Sequence, residues 1–199
     1  LLRDANALAA YLAARLLPPA AVEAVAARPG GSGRAAAILA PLYQRDGAPY
    51  LLFTRRSLDL AVHRGEISFP GGSREPDDAS LVATALRETY EELALDPARV
   101  TVLGQLPLVT ATVSNFVIAP VVGWLPAGLP PLLPNAFEVA EVIEAPLAAL
   151  ADPAIFHEEI WTRGGFAHPV YFYDLDPHRI WGLTGGILRT LLALLPPAE

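Results

Sequence analysis

Glu88, Glu91 and Glu92 stand at i, i+3 and i+4 in the run RETYEEL, residues 87–93. On a helix that spacing gathers three carboxylates on one face. Like charges so placed destabilise an isolated helix by roughly 0.2 to 0.5 kcal/mol per pair, so a cation or water must offset them. A hard divalent cation suits the donor type, because Mg²⁺ takes carboxylate oxygens and keeps waters that a phosphate can replace. A solvated amphipathic helix shows the same pattern, with Val82, Leu86 and Leu93 on the opposite side and Arg87 paired with Glu91 at i, i+4. The preceding stretch, HRGEISFPGGSREPDDAS at residues 63–80, adds a second element. Pro70-Gly71-Gly72 at a strand end lets backbone approach a ligand closely, which glycine alone permits without steric cost. Loop and helix together have the composition of a metal and diphosphate site.

The elements that must position these residues are legible from pattern. Asp78 is the expected N-cap of a helix that carries Val82, Leu86, Thr89 and Leu93 and stops at Asp96-Pro97. Asp46-Gly47 signals a hairpin between strands at 34–43 and 50–56. Further strands are expected at 99–109, 115–125, 138–147 and 168–175, and a last helix at 179–195. The first twenty residues read as one amphipathic helix in which Asp4 and Arg15 interrupt the apolar run, part of a helical extension of about 30 residues joined through ARPGGSGR. Interleaved strands and helices imply an α/β (α+β) layer structure with a mixed sheet, and 199 residues suit one domain over 1–199.

Composition narrows the function. A net charge of -7 and a pI near 5.1 argue against nucleic acid as a partner. The absence of cysteine removes thiol nucleophiles and thiolate metal sites, so any metal is held by oxygen or imidazole. No basic start precedes an apolar run of signal type. Prolines at 107, 120, 126, 130, 131 and 134 break the uncharged stretch 100–137, so no membrane span is expected there. A cytoplasmic protein acting on a small molecule is expected. Apolar strands and the N-terminal helix offer a surface for a homodimer.

The run at 87–93 resembles the Nudix box, G-x5-E-x7-R-E-U-x-E-E-x-G-U, with Thr89 in place of its aliphatic residue. Residues 51–72, LLFTRRSLDLAVHRGEISFPGG, are similar to the extended signature of the coenzyme A diphosphatase branch. Counted from Gly72, Arg87 falls one residue late and Asp78 takes the place of the first glutamate, a spacing that also resembles that branch. Ala94 replaces the last glycine of the box, and Ala61 stands where the branch has arginine. The resemblance implies a Nudix α/β/α sandwich with an acidic catalytic helix. It also implies Mg²⁺- or Mn²⁺-dependent attack of water on a diphosphate bridge, coenzyme A yielding 3',5'-ADP and 4'-phosphopantetheine.

Carried over residue by residue, the resemblance makes Glu88 and Glu92 metal ligands, Glu91 a ligand or the base, and Arg87 the group that orients a glutamate. Glu66, Glu138 and Glu141 are candidate bases by the same resemblance. Gly71, Gly72, Arg56 and Arg64 are expected to meet the substrate. An ordinary histidine changes charge near neutrality, which singles out His63, but a lone histidine is more often structural. Two alternatives stay open: another nucleoside diphosphate derivative such as ADP-ribose or a dinucleotide, and a nucleotide-binding scaffold that hydrolyses nothing.

Overall fold

Asp46 and Gly47 take φ angles of 50° and 79°. Two successive left-handed residues are what a type I′ hairpin requires, and they fold β1 (Arg34–Arg45) back onto β2 (Ala48–Arg56). The computed structural model describes residues 4–26, 34–59, 64–111 and 115–196. β1 and β2 pair only from Leu42↔Leu51 to Arg45↔Ala48 and then diverge. Residues 67–73 fill the fork: β3 (Ile67–Ser68) pairs with β2, and β4 (Gly71–Ser73) pairs with β1. The glycine loop is therefore fixed between two strands of the sheet.

The helix α3 (Leu81–Leu93) follows, then β5 (Thr101–Gln105), β6 (Val109–Ala111) and β7 (Phe116–Leu125). β7 runs parallel to β1 over ten residue pairs, while β5 and β6 pair antiparallel with it. Pro120 is tolerated because it sits where the outer partner of β7 changes from β5 to β6, and its carbonyl still accepts from the Leu106 N–H. β8 (Val139–Pro146) closes the far side of β2. The result is a mixed sheet of eight strands.

Two layers cover it. Leu81, Ala85 and Leu93 of α3 pack on Leu39, Tyr43 and Leu52, with Val22 of α2 (Pro19–Ala26) in the same cluster. On the other face, α1 (Ala5–Ala13), α4 (Leu147–Leu150) and α5 (Gly182–Leu192) bring Leu8, Leu12, Leu147 and Leu188 against Phe53 and Ile143. Full burial of each such side chain is worth about 1.5 to 3 kcal/mol, so these two clusters set how α3 sits on the sheet. A second sheet, β9 (Phe156–Arg163), β10 (Phe166–Leu175) and β11 (His178–Trp181), adds Tyr173 and Ile180 to this side. The α/β/α layering with a mixed sheet matches the expectation.

Several local expectations change. The first twenty residues are not one helix: Asp4 caps α1, accepting from the Asn6 and Ala7 N–H groups, and Pro18-Pro19 ends the run so that Pro19 opens α2. Asp78 is not the N-cap of α3, because Ser80 holds that place and accepts from the Ala83 N–H. The strand expected at 99–109 splits into β5 and β6 around Pro107. Residues 179–181, expected as helix, are strand, since Gly182 adopts φ 64° and turns the chain into α5. β9 had no pattern to announce it, being mostly exposed with adjacent glutamates.

Candidate active site

The expected opposition of acids and apolar residues on α3 does not hold. Glu92 is 4% exposed and lies on the packed side with Leu81, Ala85 and Leu93, whereas Val82 and Leu86 are only half-buried. Thr89, in the aliphatic position of the motif, is buried too and satisfies its hydroxyl by donating to the Ala85 carbonyl at 2.7 Å. Glu88 is partly buried and Glu91 is exposed. The three glutamates thus stand at three depths, the deepest pressed towards the sheet.

The glycines explain how that is possible. A Cβ at Gly72 would lie 2.5 Å from the carboxyl carbon of Glu88. At Gly71, with φ 151°, a Cβ would lie 2.3 Å from the Ala37 carbonyl oxygen. The Gly71 N–H points to Glu92 Oε2 at 3.3 Å. The β1 backbone fills the space at Gly71 and the Glu88 carboxylate that at Gly72, while the Gly71 N–H reaches Glu92, so loop and helix form one site.

Arg87 is its joint. The guanidinium donates to both oxygens of Asp78 at 2.9 and 3.0 Å, to Glu91 at 3.0 Å, to Glu88 at 3.1 Å and to the Ser73 carbonyl at 3.0 Å. It ties the loop after β4 to the helix and fixes Glu88 in the same act. The hydrogen bonds from Arg87 hold Asp78 well below the usual carboxylate range, helped by the Glu75 N–H and the Thr84 hydroxyl. Asp78 in turn raises the pKa of Arg87.

The other carboxylates behave oppositely. Burial pushes Glu92 up to about 8, with Arg56 offsetting part of the cost and Glu138 and Glu88 adding to it. Burial also raises Glu88, with Arg87 opposing the shift and Glu91 and Glu138 reinforcing it. Glu138 therefore shares one field with Glu88 and Glu92. Its position follows from a β-bulge: Arg55 pairs with Glu141 but Arg56 pairs with Val139, so β8 carries an extra residue where it passes the site. Ser57 N–H donates to the Glu138 carbonyl at 2.8 Å and fixes the turn.

Arg56 arrives from the end of β2, its Nε buried without a hydrogen-bond partner. Its backbone N–H donates to the Glu66 carbonyl at 3.0 Å, which brings the loop of Arg64 and Glu66 to the same strand end. Glu141 is drawn elsewhere, to Arg55 at 2.9 Å and His178 at 3.5 Å. Ala61 and His63 lie outside the described residues. Asp78, read both as a cap and as the residue in place of the motif's first glutamate, proves to be the partner of Arg87. One contributor was not legible in sequence: Glu23 of α2 accepts from the Leu81 N–H at the start of α3 while pairing with Arg74.

Glu88, Glu92 and Glu138 supply only oxygen donors, mutually repelling and partly desolvated, which is the donor chemistry a hard divalent cation requires. Among the described residues no three acidic or histidine side chains are already gathered at metal-binding spacing. The fit is therefore one of donor type and charge.

Known proteins resemble this chain. The family model described as the NUDIX domain matches residues 33–151. The chain is 42% identical over 160 residues to an uncharacterized Nudix hydrolase, NudL, of Photorhabdus laumondii, covering 80% of this chain and 84% of the relative. It is 40% identical over 158 residues to Escherichia coli proteins of the same description, covering 79% and 81%. Among solved structures, a Nudix hydrolase from M. smegmatis, RenU, superposes with a TM-score of 0.50 at 20% identity, over 59% of this chain and 73% of that one.

Proposed function

Because the chain belongs to the Nudix family and is a hydrolase of pyrophosphate bonds in nucleoside diphosphate derivatives, we propose that its substrate is coenzyme A or a coenzyme A derivative. The products would be 3',5'-ADP and 4'-phosphopantetheine. The similarity of residues 51–72 to the coenzyme A branch supports the substrate, and membership of a family of hydrolases sets aside a scaffold without activity. The observation that carries the site assignment is Glu92: a buried carboxylate, raised to about 8 with Glu88 and Glu138 adding to the shift and only Arg56 and one long bond from the Gly71 N–H opposing it.

Glu88 and Glu92 would hold Mg²⁺ or Mn²⁺, with Glu91 at the exposed edge as a further ligand. The ion would neutralise the diphosphate and lower the pKa of a bound water. Arg87 orients Glu88 and Glu91 through its hydrogen bonds and is itself fixed by Asp78. Arg56, half-buried at the end of β2, would meet a phosphate oxygen with its guanidinium, while Arg64 stands on the neighbouring loop. Water attacks one phosphorus, and the bridging P–O bond breaks with its electron pair leaving on the other phosphate. A glutamate takes the water proton. Glu138 is our first choice for this, ahead of Glu91 and Glu66, because its charge acts on Glu88 and Glu92 from the turn before β8.

Purified protein incubated with coenzyme A, ADP-ribose and a dinucleotide, each with Mn²⁺, Mg²⁺ or chelator, tests the substrate. Metal-dependent release of 3',5'-ADP, fastest from coenzyme A, is expected. Faster cleavage of ADP-ribose or the dinucleotide would overturn the substrate while keeping the chemistry.

A further inference from the structure

A nucleoside diphosphate brings a planar base to within one nucleoside length of the scissile bridge, and that base needs an apolar surface. Phe137 is 84% exposed although its backbone is fixed. Its N–H donates to Asn135 Oδ1 at 3.2 Å, and the Asn135 N–H donates to the Glu92 carbonyl at 2.8 Å, which pins this turn to the last turn of α3. Phe137 immediately precedes Glu138, at a Cα separation of ~3.8 Å, and Glu138 acts on both Glu88 and Glu92. The turn holding Leu58, 69% exposed, is joined to this one by the hydrogen bond from the Ser57 N–H to the Glu138 carbonyl. Leu58 stands two residues from Arg56.

The other exposed aromatic side chains lie elsewhere. Tyr90 is two positions from both Glu88 and Glu92, which turns it to the opposite side of α3. Trp161 and Phe166 belong to β9 and β10 of the second sheet. Among the described residues Phe137 is thus the exposed aromatic residue whose backbone is held beside the acid site. We propose that Phe137, with Leu58 on the adjoining turn, is the stacking surface that binds the nucleobase of the substrate. Stacking accepts any base because every base has a π-face, so this surface supplies affinity while the acids and Arg56 handle the diphosphate.

The inference rests on the hydrolase reading above, and the test separates the two. ADP and ribose 5-diphosphate, which lacks the base, are titrated calorimetrically against wild type, Phe137→Ala and Phe137→Tyr with Mn²⁺. ADP affinity is expected to fall about tenfold in Phe137→Ala, to survive in Phe137→Tyr, and ribose 5-diphosphate affinity to stay unchanged in all three. Equal weakening of both ligands, unchanged ADP affinity in Phe137→Ala, or no ADP binding by wild type overturns the stacking role. Failure of the wild type to hydrolyse any nucleoside diphosphate derivative would count against the hydrolase reading alone, since the binding comparison does not depend on turnover.

Discussion

Asp78 and Glu92 are both carboxylates held beside α3, yet the protein treats them in opposite ways. Asp78 has two bonds from Arg87, one from the Glu75 N–H and one from the Thr84 hydroxyl, and its pKa is driven down. Glu92 is more deeply buried, receives one long bond from Gly71, faces other acids, and is driven up. The first is a finished joint that holds loop to helix. The second is an arrangement that folding leaves electrostatically incomplete, and a cation would complete it. Depth and partners together set them apart, and the direction of the pKa shift records both.

The contrast is broken most severely at Glu92. Glu92→Gln keeps the shape and removes the charge, so metal-dependent turnover is expected to fall by roughly 10³-fold, the scale on which loss of a preorganised charged group acts. Stability should move the other way. With chelator present, the unfolded chain loses the Glu92 proton near its ordinary value, while the folded protein keeps it up to about 8. The unfolded state therefore binds fewer protons between those values. Its contribution to stability is intact at acidic pH and declines as pH rises through about 8, by up to ~1.4 kcal/mol per pH unit. Asp78 has the opposite sign: its contribution is present above the ordinary carboxylate range and is lost as pH falls through its depressed pKa. Denaturant titrations of wild type and Glu92→Gln across pH check this, and parallel stability profiles for the two proteins would refute the assignment.

The joint is broken at Arg87. Arg87→Ala leaves Asp78 buried without its cation and is expected to cost about 3 kcal/mol, towards the low end for an orphaned buried charge because Arg87 is 23% exposed. Arg87→Ala combined with Asp78→Asn should recover part of that loss. Activity should stay low in the double variant, because Glu88 and Glu91 have lost the donor that oriented them. Chemical denaturation and steady-state turnover of the two variants separate the effects. Recovery of both together would mean that Arg87 is only structural.

Much of this was readable before any coordinates. The hairpin at Asp46-Gly47, the strands at 115–125 and 138–147 and the acidic helix follow from turn chemistry and periodicity, which are local. The motif located Glu88, Glu91, Glu92 and Arg87. What stayed hidden depends on contacts across the sheet. The depth of Glu92 is decided by a fork between β1 and β2 that sequence periodicity does not encode. Asp78 reads as a helix cap and as the stand-in for the motif's first glutamate, but only the fold shows Arg87, nine residues later, reaching back to it. Glu138 joins the acids through a bulge in β8, and bulges leave no period-two signature. Gly71 and Gly72 read as room for a ligand, whereas in the folded chain that room is taken by the β1 backbone at Gly71 and by the Glu88 carboxylate at Gly72.

The smallest expected effect concerns the end of the turn that carries Glu92. Ala94 adopts φ 55° and ψ 28° and closes α3 with its N–H on the Tyr90 carbonyl at 2.7 Å. The left-handed cap that glycine normally supplies is thus kept by an alanine. An L-residue with a Cβ pays roughly 1 to 2 kcal/mol for that conformation. Leu95 and Leu93 are buried on either side and hold the chain in this path. Ala94→Gly removes the Cβ strain but gives the unfolded chain more freedom, which returns about 0.4 to 1 kcal/mol of the gain. A net stabilisation of about 0.5 to 1 kcal/mol is expected, seen as a rise in Tm of about 1 to 4 °C. Turnover should stay the same, because the positions of Glu88 and Glu92 are set by Arg87 and the glycine loop rather than by the cap. A loss of activity in Ala94→Gly would instead show that the strained cap helps to aim Glu92.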